Sequence, residues 1–232
     1  MSRSAKTARP RAKIVGVIFS RADLQRAIRM RRPPDLFELR LDAFVHLDEL
    51  ESALQKLRAP LIITARHPRE GGVNSLSSKH RRRLLLRFLP FANYVDVELR
   101  SSSSFKSLLA AARAAHVRLI LSFHDLAQTP SLAFLQEKMS TVRKLAPDIF
   151  KIATRVDAPV DLSRLLEFFD ESASERFEIA GMGIGAQGRV ARLVLARRGS
   201  ALNYGHLGQA QAEGQMSIAQ LRAALRKTRH LV

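Results

Sequence analysis

Residues 118–153 read RLILSFHDLAQTPSLAFLQEKMSTVRKLAPDIFKIA, and this stretch shows the pattern that decides the fold. Apolar runs rich in branched residues stand at its two ends, at 118–123 and 149–153, and each has the length and composition of a buried strand. The segment between them is long enough to hold a helix that crosses over a sheet. The stretch therefore predicts two parallel strands joined by a helix.

The same strand–helix unit recurs along the chain. Further strands are predicted at residues 14–19, 36–40, 61–65, 94–98, 177–181 and 201–204, which gives roughly one strand every 27 residues. Apolar residues at helical spacing predict helices at 77–89, 102–115 and 159–170, and a last one around Ile218, Leu221 and Leu225. Eight strands alternating with about eight helices predict an α/β fold, a single-domain (β/α)8 TIM barrel. An open doubly wound sheet is the structural alternative.

The composition fits one globular domain with an excess of positive charge. The 232 residues are 46% hydrophobic, which excludes a disordered or collagen-like chain. Lys and Arg number 39 against 21 Asp and Glu, and this net charge of +18 predicts attraction to anions such as nucleic acid, anionic lipid or small acidic metabolites. Residues 1–13 carry several cations and no acid, which predicts a disordered basic tail before a catalytic barrel at 14–232. An organelle transit segment is the alternative for this tail.

Two absences in the sequence bear on its location. The chain contains no cysteine, which excludes disulfides and zinc–thiolate sites and fits a reducing compartment. Its longest apolar run, residues 14–19, is far shorter than the roughly 18 residues of a membrane span. A cytoplasmic protein without a membrane segment is therefore expected.

Polar residues follow most of the predicted strands, where a barrel carries its active site. Because the carboxyl ends of all strands meet at one face of a barrel, these side chains are expected to face a common site. They are Glu38, Arg40 and Asp42 after strand two, Arg66 and Glu70 after strand three, Asp96 and Glu98 on strand four, His124 on strand five, Lys151 on strand six, Arg189 and Arg192 after strand seven, and Gln211 and Gln215 after strand eight.

Lys151 stands out because it lies inside the apolar strand 149–153. A buried ammonium must either pair with an acid or lose its proton. An amine whose pKa falls by about 3 units from its usual value near 10.4 becomes an effective nucleophile at neutral pH, and nearby cations such as Arg40 or Arg192 favour that fall. Lys151 is therefore a candidate Schiff-base lysine. The alternative is a structural ion pair with Asp96 or Glu98.

His124 is the candidate general acid and base, because an unperturbed imidazole has a pKa near 6.5. Glu70 is a candidate to orient it. The alternatives are a structural hydrogen bond made by His124, and a loop ion pair between Arg66 and Glu70.

A glycine-rich segment and two basic clusters have competing interpretations. Residues 183–188 fit the G-x-G-x-x-G pattern, but they come late in the chain and no ribose-binding acid follows about 20 residues later, which argues against a dinucleotide site. An anion site of a barrel, or a flexible turn, fits better. The clusters at residues 29–32 and 80–83 lack interleaved aromatic residues and are interpreted as solvated helix faces.

Residues 14–220 resemble type I 3-dehydroquinate dehydratases. The matching segments occur in the family's order and at its spacing: residues 38–42 (ELRLD), 64–72 (TARHPREGG), 96–99 (DVEL), 122–125 (SFHD), 151–153 (KIA), 188–192 (GRVAR), 199–200 (GS) and 214–215 (GQ). One such motif would be weak, whereas the ordered set is specific.

The resemblance implies a mechanism and its residues. Lys151 would form an imine with the ketone of 3-dehydroquinate, and His124, held by Glu70, would remove a proton from the neighbouring carbon and assist the loss of water. The residues expected to bind the hydroxyl and carboxylate groups of the substrate are Glu38, Arg40, Arg66, Arg192, Gln211 and Gln215. The resemblance implies no metal and no cofactor, a small carboxylated substrate rather than nucleic acid, and a homodimer.

The chain departs from the family pattern near the end of the barrel. Residues 211–215 read QAEGQ where the family has SAPGQ, so an amide replaces a hydroxyl and Glu213 replaces a proline. Glu213 would repel an anionic substrate if it pointed inward. The segment 182–192 is also about two residues longer than is usual in the family. Two alternatives therefore stay open: another Schiff-base barrel lyase or aldolase acting on a different oxo acid, and a catalytically weakened paralogue or a basic nucleic-acid-binding module.

Overall fold

The computed structural model describes residues 11–172 and 175–227, and its centre is a sheet of eight parallel strands. The strands are β1 Lys13–Ile18, β2 Leu36–Arg40, β3 Leu61–Thr64, β4 Tyr94–Glu98, β5 Arg118–Asp125, β6 Ile149–Arg155, β7 Glu178–Ile184 and β8 Leu202–His206. They pair in the order β7-β6-β5-β4-β3-β2-β1-β8. The backbone N–H of Ala201 donates to the carbonyl of Ile179 at 2.8 Å across the remaining seam, between β7 and β8. The predicted (β/α)8 barrel is thus confirmed, and the open sheet is excluded.

Eight α-helices surround the strands in the described part of the chain. They are α1 Arg21–Arg29, α2 Leu50–Leu54, α3 Ser78–Phe88, α4 Lys106–Ala114, α5 Leu132–Leu145, α6 Pro159–Glu171, α7 Gly188–Arg197 and α8 Ile218–Lys227. Ser20, Ser77 and Ser131 cap α1, α3 and α5, because each hydroxyl accepts a hydrogen bond from an unpaired backbone N–H of the first turn. None of the helices in residues 11–172 and 175–227 is long and apolar enough to cross a membrane.

The alternation of side chains along the strands forms two apolar layers. On β6, Phe150 and Ile152 pack outward against the helices, whereas Ile149 and Ala153 point into the barrel. Lys151 has the same parity as Ile149 and Ala153, so its side chain also points into the barrel. The strand pattern alone therefore aims this amine at the barrel interior.

Several elements differ from their sequence-based bounds. Strands β5 to β8 continue two or three residues beyond their predicted ends, because backbone pairing persists from His124 with Ala153 to Arg155 with Ile184, and as far as His206 with Val17. Helix α4 begins at Lys106 rather than at residue 102. The hydroxyls of Ser102 and Ser104 instead bond the carbonyls of Leu99 and Ser101, which favours a tight turn over the first helical turn.

The predicted basic tail overlaps the described chain only at residues 11–13, since residues 1–10 lie outside the described residues. Lys13 already belongs to β1, one residue before the predicted start. Arg11 donates to both carboxylate oxygens of Asp35, at 3.1 and 3.0 Å. The tail itself stays a prediction.

Candidate active site

A cavity of about 140 Å³ lies at the carboxyl ends of the strands. Apolar side chains such as Val17, Met182 and Tyr204 form part of its wall. The nine residues to which the resemblance assigns a role all line it: Lys151, His124, Glu70, Glu38, Arg40, Arg66, Arg192, Gln211 and Gln215. The other polar residues expected there, Asp42, Asp96, Glu98 and Arg189, are not among its lining residues. The structure therefore brings together one amine, one imidazole, two carboxylates, three guanidinium groups and two amides.

Lys151 projects into this cavity and is also paired with acids. Its Nζ donates to Oδ2 of Asp96 at 2.6 Å and lies 3.6 Å from Oε1 of Glu38. The ammonium also lies 4.4 Å from the centre of the Tyr204 ring, whose electron-rich face attracts cations. Both interpretations of Lys151 describe part of this geometry, because the amine is ion-paired with Asp96 and lies on the cavity wall. Its charged partners are acids, rather than the Arg40 or Arg192 suggested by the sequence.

Arg66 holds the partner of Lys151 in place. Its two terminal nitrogens donate to both oxygens of Asp96 at 3.1 and 2.9 Å, and Nη1 also reaches Glu98 at 3.1 Å and Ser122 at 2.8 Å. Burial alone would raise the pKa of Asp96, but Arg66 and Lys151 outweigh it and hold that pKa well below its usual value. Asp96 is therefore a permanent anion between two cations. Arg66 makes no bond to Glu70, so the predicted alternative of a loop ion pair is wrong.

Arg81 continues this network below the cavity, and it corrects the interpretation of residues 80–83 as a solvated face. The side chain of Arg81 is fully buried, donates to Glu98 at 2.5 Å and to the carbonyl of Ala65 at 2.8 Å, and lies 5.1 Å from the Phe105 ring. Helix α3 buries this position because Arg81 lies three residues before Leu84, on the face that packs against the strands. The three-residue spacing from Leu84 is therefore the sequence signal for the burial of Arg81.

The result is a buried row of alternating charges, here called the charge chain: Arg81, Glu98, Arg66, Asp96 and Lys151. Each acid contacts two cations, so each buried charge has a compensating neighbour. The end of the charge chain at the cavity is the amine of Lys151.

His124 and Glu70 form a second pair on the cavity wall. Oε2 of Glu70 lies 2.9 Å from Nδ1 of His124 and accepts the backbone N–H of the same residue at 3.1 Å. Burial raises the pKa of Glu70 to about 7, and Glu98 adds to the shift. Burial also lowers the pKa of His124 well below its usual value, and the positive charges of Arg66 and Lys151 contribute. An ionised Glu70 accepts the Nδ1 proton, which leaves Nε2 of a neutral His124 as a base.

The three cavity arginines differ in the groups to which they are bonded. Arg40 forms a two-pronged pair with Asp42 at 2.9 and 2.8 Å. Arg192 binds only the backbone carbonyls of Gly183 and Tyr204, and no carboxylate of the described residues pairs with it. Burial lowers the pKa of Arg192 to about 10, so it stays a cation at neutral pH. A buried cation without an acid on a cavity wall is suited to an anionic ligand.

Helix α7 explains why Arg192, and not Arg189, reaches the cavity. Arg189 lies on the exposed face of the helix. Glycines on both sides of Arg192 in the chain allow close packing. A Cβ on Gly183 would lie 2.5 Å from Cβ of Ala191, and one on Gly214 would lie 2.9 Å from Cα of Gly188. The glycine-rich segment therefore serves the approach of α7 and of the β8–α8 loop, and Gly183 lies within β7 rather than in a turn.

The β8–α8 loop closes one side of the cavity and turns its acid away. The side-chain oxygen of Gln215 accepts the backbone N–H of Gln211 at 2.7 Å, which fixes the loop. Glu213 pairs with Arg155 at 3.2 Å, and Arg155 also binds Asp157 at 2.6 Å. The carboxylate of Glu213 is thus held by Arg155 at the end of β6, so the repulsion expected for an inward-pointing acid does not arise.

No group of three or more His, Asp or Glu side chains within residues 11–172 and 175–227 is arranged to hold a metal ion. The expectation that the reaction uses no cofactor stays a prediction from the resemblance.

Comparisons with known proteins agree with this geometry. The family model described as type I 3-dehydroquinase matches residues 17–231. A 3-dehydroquinate dehydratase of Thermococcus gammatolerans is 33% identical over 91% of this chain and 97% of its own length. A second, from Thermodesulfovibrio yellowstonii, is 32% identical over 81% of this chain and 82% of its own. The crystal structure of 3-dehydroquinate dehydratase from Geobacillus kaustophilus superposes with a TM-score of 0.86 at 26% identity, covering 94% of this chain and 91% of the other.

Proposed function

The chain belongs to the type I 3-dehydroquinase family, and from this premise we propose how its own residues carry out the reaction. The reaction is the dehydration of 3-dehydroquinate to 3-dehydroshikimate, a carbon–oxygen lyase step of the shikimate pathway. The observation that carries the mechanism is the amine of Lys151 at the wall of a cavity that also presents His124 and the acid-free cation Arg192. The family membership and the intact cavity favour this reaction over an aldolase, a weakened paralogue or a nucleic-acid-binding module.

Lys151 is the proposed nucleophile. After its ammonium releases a proton, Nζ attacks the ketone carbon, and the carbonyl oxygen leaves as water to give a protonated imine. The nitrogen carries a positive charge both as the ammonium and as the protonated imine. Asp96, 2.6 Å from Nζ, pairs with the cation in both states. The charge chain therefore stabilises the intermediate without having to rearrange.

His124 is the proposed acid and base. Its Nε2 removes a proton from the carbon next to the imine, and the electron pair moves into the imine as an enamine. The enamine nitrogen then restores the imine, a new carbon–carbon double bond forms to the carbon that carries the hydroxyl group, and the carbon–oxygen bond of that carbon breaks. His124 gives its proton to the departing hydroxyl group, which leaves as water. Glu70 supports both roles by holding Nδ1 at 2.9 Å. Hydrolysis of the product imine regenerates Lys151.

Arg192 is the proposed anchor for the substrate carboxylate, and the amides of Gln211 and Gln215 cover the same side of the cavity. Glu38 and Arg40 are proposed to bind hydroxyl groups. The terminal nitrogens of Arg66 are already bonded to Asp96, Glu98 and Ser122, so we propose that Arg66 acts mainly by holding Asp96.

The direct test is an assay of the purified protein with 3-dehydroquinate, followed by the ultraviolet absorbance of the conjugated product. Incubation with substrate and borohydride should leave one reduced adduct, located at Lys151 by peptide mass spectrometry. Absence of both turnover and adduct would overturn the proposed function, and cleavage of other oxo acids without dehydration would favour the aldolase alternative.

Replacing Arg192 with glutamine should raise KM by roughly 10- to 150-fold and change kcat little, because a charge-assisted contact to an unchanging carboxylate contributes about 1.5–3 kcal/mol to ground state and transition state alike. The measurement is steady-state kinetics of Arg192→Gln. Arg189→Gln is the matched control, since it removes an exposed arginine from the same helix and should leave KM unchanged. An unchanged KM for Arg192→Gln would contradict the assignment of the carboxylate anchor.

The pH profile of kcat/KM should have an acidic limb near pH 7, because Glu70 has its pKa raised to about 7. Below this limb Glu70 is protonated and donates to Nδ1, so Nε2 carries the ring proton and cannot act as a base. Activity should fall about tenfold per pH unit below the limb and be retained above it. Glu70→Gln, which cannot titrate, should lower the rate and remove the limb; an unshifted limb in this variant would assign it to another group.

A homodimer, a cytoplasmic location and the lack of a nucleic-acid partner stay predictions for this chain. Native mass measurement tests the first. Binding of duplex nucleic acid at several salt concentrations tests the last, since phosphate contacts made by the surplus cations would weaken steeply with salt.

A further inference from the structure

Arg100 lies outside the catalytic cavity but contacts one of the groups on its wall. It belongs to the short 3-10 turn Leu99–Ser101 that follows β4, and about two fifths of its side chain is exposed. Its Nε donates to Oε1 of Glu70 at 2.8 Å. No motif quoted from the sequence includes this residue.

The two oxygens of Glu70 have different partners. Oε2 faces His124, as described above, and Oε1 receives its hydrogen bond from Arg100 alone among the described residues. The carboxylate is therefore fixed at both ends, with His124 on the cavity side and Arg100 on the outer side.

Charged groups at the ends of the neighbouring strands β3, β4 and β5 act on the ionisation of Glu70. Glu98 on β4 disfavours the ionised carboxylate, whereas Arg66 after β3 and Arg100 favour it. His124 on β5 contributes its backbone N–H. Arg66 is shared with Asp96 and Glu98, which leaves Arg100 as the cation bonded directly to Glu70.

We propose that Arg100 is a positioning residue that keeps Glu70 ionised and directed at His124. The proposal rests on the proposed function, since it requires His124 to act as the base. Arg100 does not touch the substrate in this account. It sets the pH range in which the base is available.

A second cavity makes Arg100 accessible from outside. It measures about 290 Å³ on the outer side of Glu70, and Arg100, Phe123, Phe134 and Lys138 are among its lining residues. A small cation can therefore enter the space that a shortened side chain would leave.

The test compares pH profiles of kcat/KM. In Arg100→Ala the acidic limb should move up by about one pH unit, which gives about a tenfold loss below the limb and little loss well above it. Arg100→Lys, which keeps a charge beside Oε1, should show a smaller shift. Millimolar methylguanidinium should move the limb of Arg100→Ala back towards the wild-type position and leave the wild-type profile unchanged.

Arg69→Ala is the matched control, because Arg69 precedes Glu70 and is exposed but makes no side-chain bond to it. Its limb should stay in place. A uniform loss of activity at all pH values in Arg100→Ala, or an equal shift in Arg69→Ala, would overturn the proposal in favour of a structural or a general charge effect.

Borohydride trapping separates this proposal from the proposed function. Wild-type protein that yields no adduct at Lys151 would refute the imine mechanism whatever the pH profiles show. An adduct that forms in Arg100→Ala, together with an unshifted limb, would refute the role of Arg100 alone.

Discussion

Replacing Lys151 with alanine should abolish turnover, with a loss of at least about 10⁴-fold in kcat, because the covalent route needs this amine and no other described amine lines the cavity. Substrate and borohydride should then leave no adduct on the protein. The measurements are steady-state kinetics and intact mass.

The fold should survive the change, since Asp96 keeps its two-pronged bond with Arg66 after the ammonium is removed. Circular dichroism and thermal unfolding check this. Lys56→Ala, which removes an exposed lysine, is the control and should keep both turnover and adduct. Activity retained by Lys151→Ala would refute the imine mechanism.

Replacing Asp96 with alanine should cause the largest loss of stability. The change leaves Lys151 and Arg66 buried without their closest anion, and removing one partner of a buried ion pair costs about 3–5 kcal/mol. For a domain of this size the thermal midpoint should fall by roughly 10 °C. Calorimetry or circular dichroism measures it.

A double variant distinguishes the stability lost with the ion pairs from the stability lost with side-chain packing. Combining Asp96→Ala with Lys151→Ala removes one of the stranded cations, so the double variant should lose less stability than the two single losses together. Glu51→Gln is the surface control: its exposed pair with Arg87 should be worth less than about 1 kcal/mol. A midpoint in Asp96→Ala as little shifted as in Glu51→Gln would show that the charge chain is not important for stability.

The barrel could be predicted because each strand–helix unit carries its own signal. Alternation within a strand and helical spacing within the next segment are local, and the repeat of the unit fixes the fold class. The predicted carboxyl ends of β5 to β8 fall too early because these ends carry polar residues such as His124 and Asp125. Pairing with the neighbouring strands, which side-chain type does not reveal, keeps those ends in the sheet.

The cavity residues could also be named, since a barrel directs every strand end to one face and Lys151 is conspicuous in an apolar strand. What the sequence did not reveal was which groups pair. Arg81 contacts Glu98 across 17 residues and Arg100 contacts Glu70 across 30, and no local pattern encodes such distances. The spacing of Arg81 from Leu84 indicates its burial, but its pairing with Glu98 and the pairing of Arg100 with Glu70 emerge only from the folded structure. The roles of the nine cavity residues stay predictions until variants are measured.

The charge chain also limits how this barrel can be redesigned. A library aimed at a new oxo-acid substrate should vary the mouth, where Gln211, Ala212 and Gln215 meet the cavity and no buried charge depends on them. Positions 66, 81, 96 and 98 should be inherited as a block, because a change at any one leaves an unmatched charge in the interior. We expect that the proposed nucleophile Lys151 can be moved to another barrel only together with its counterions.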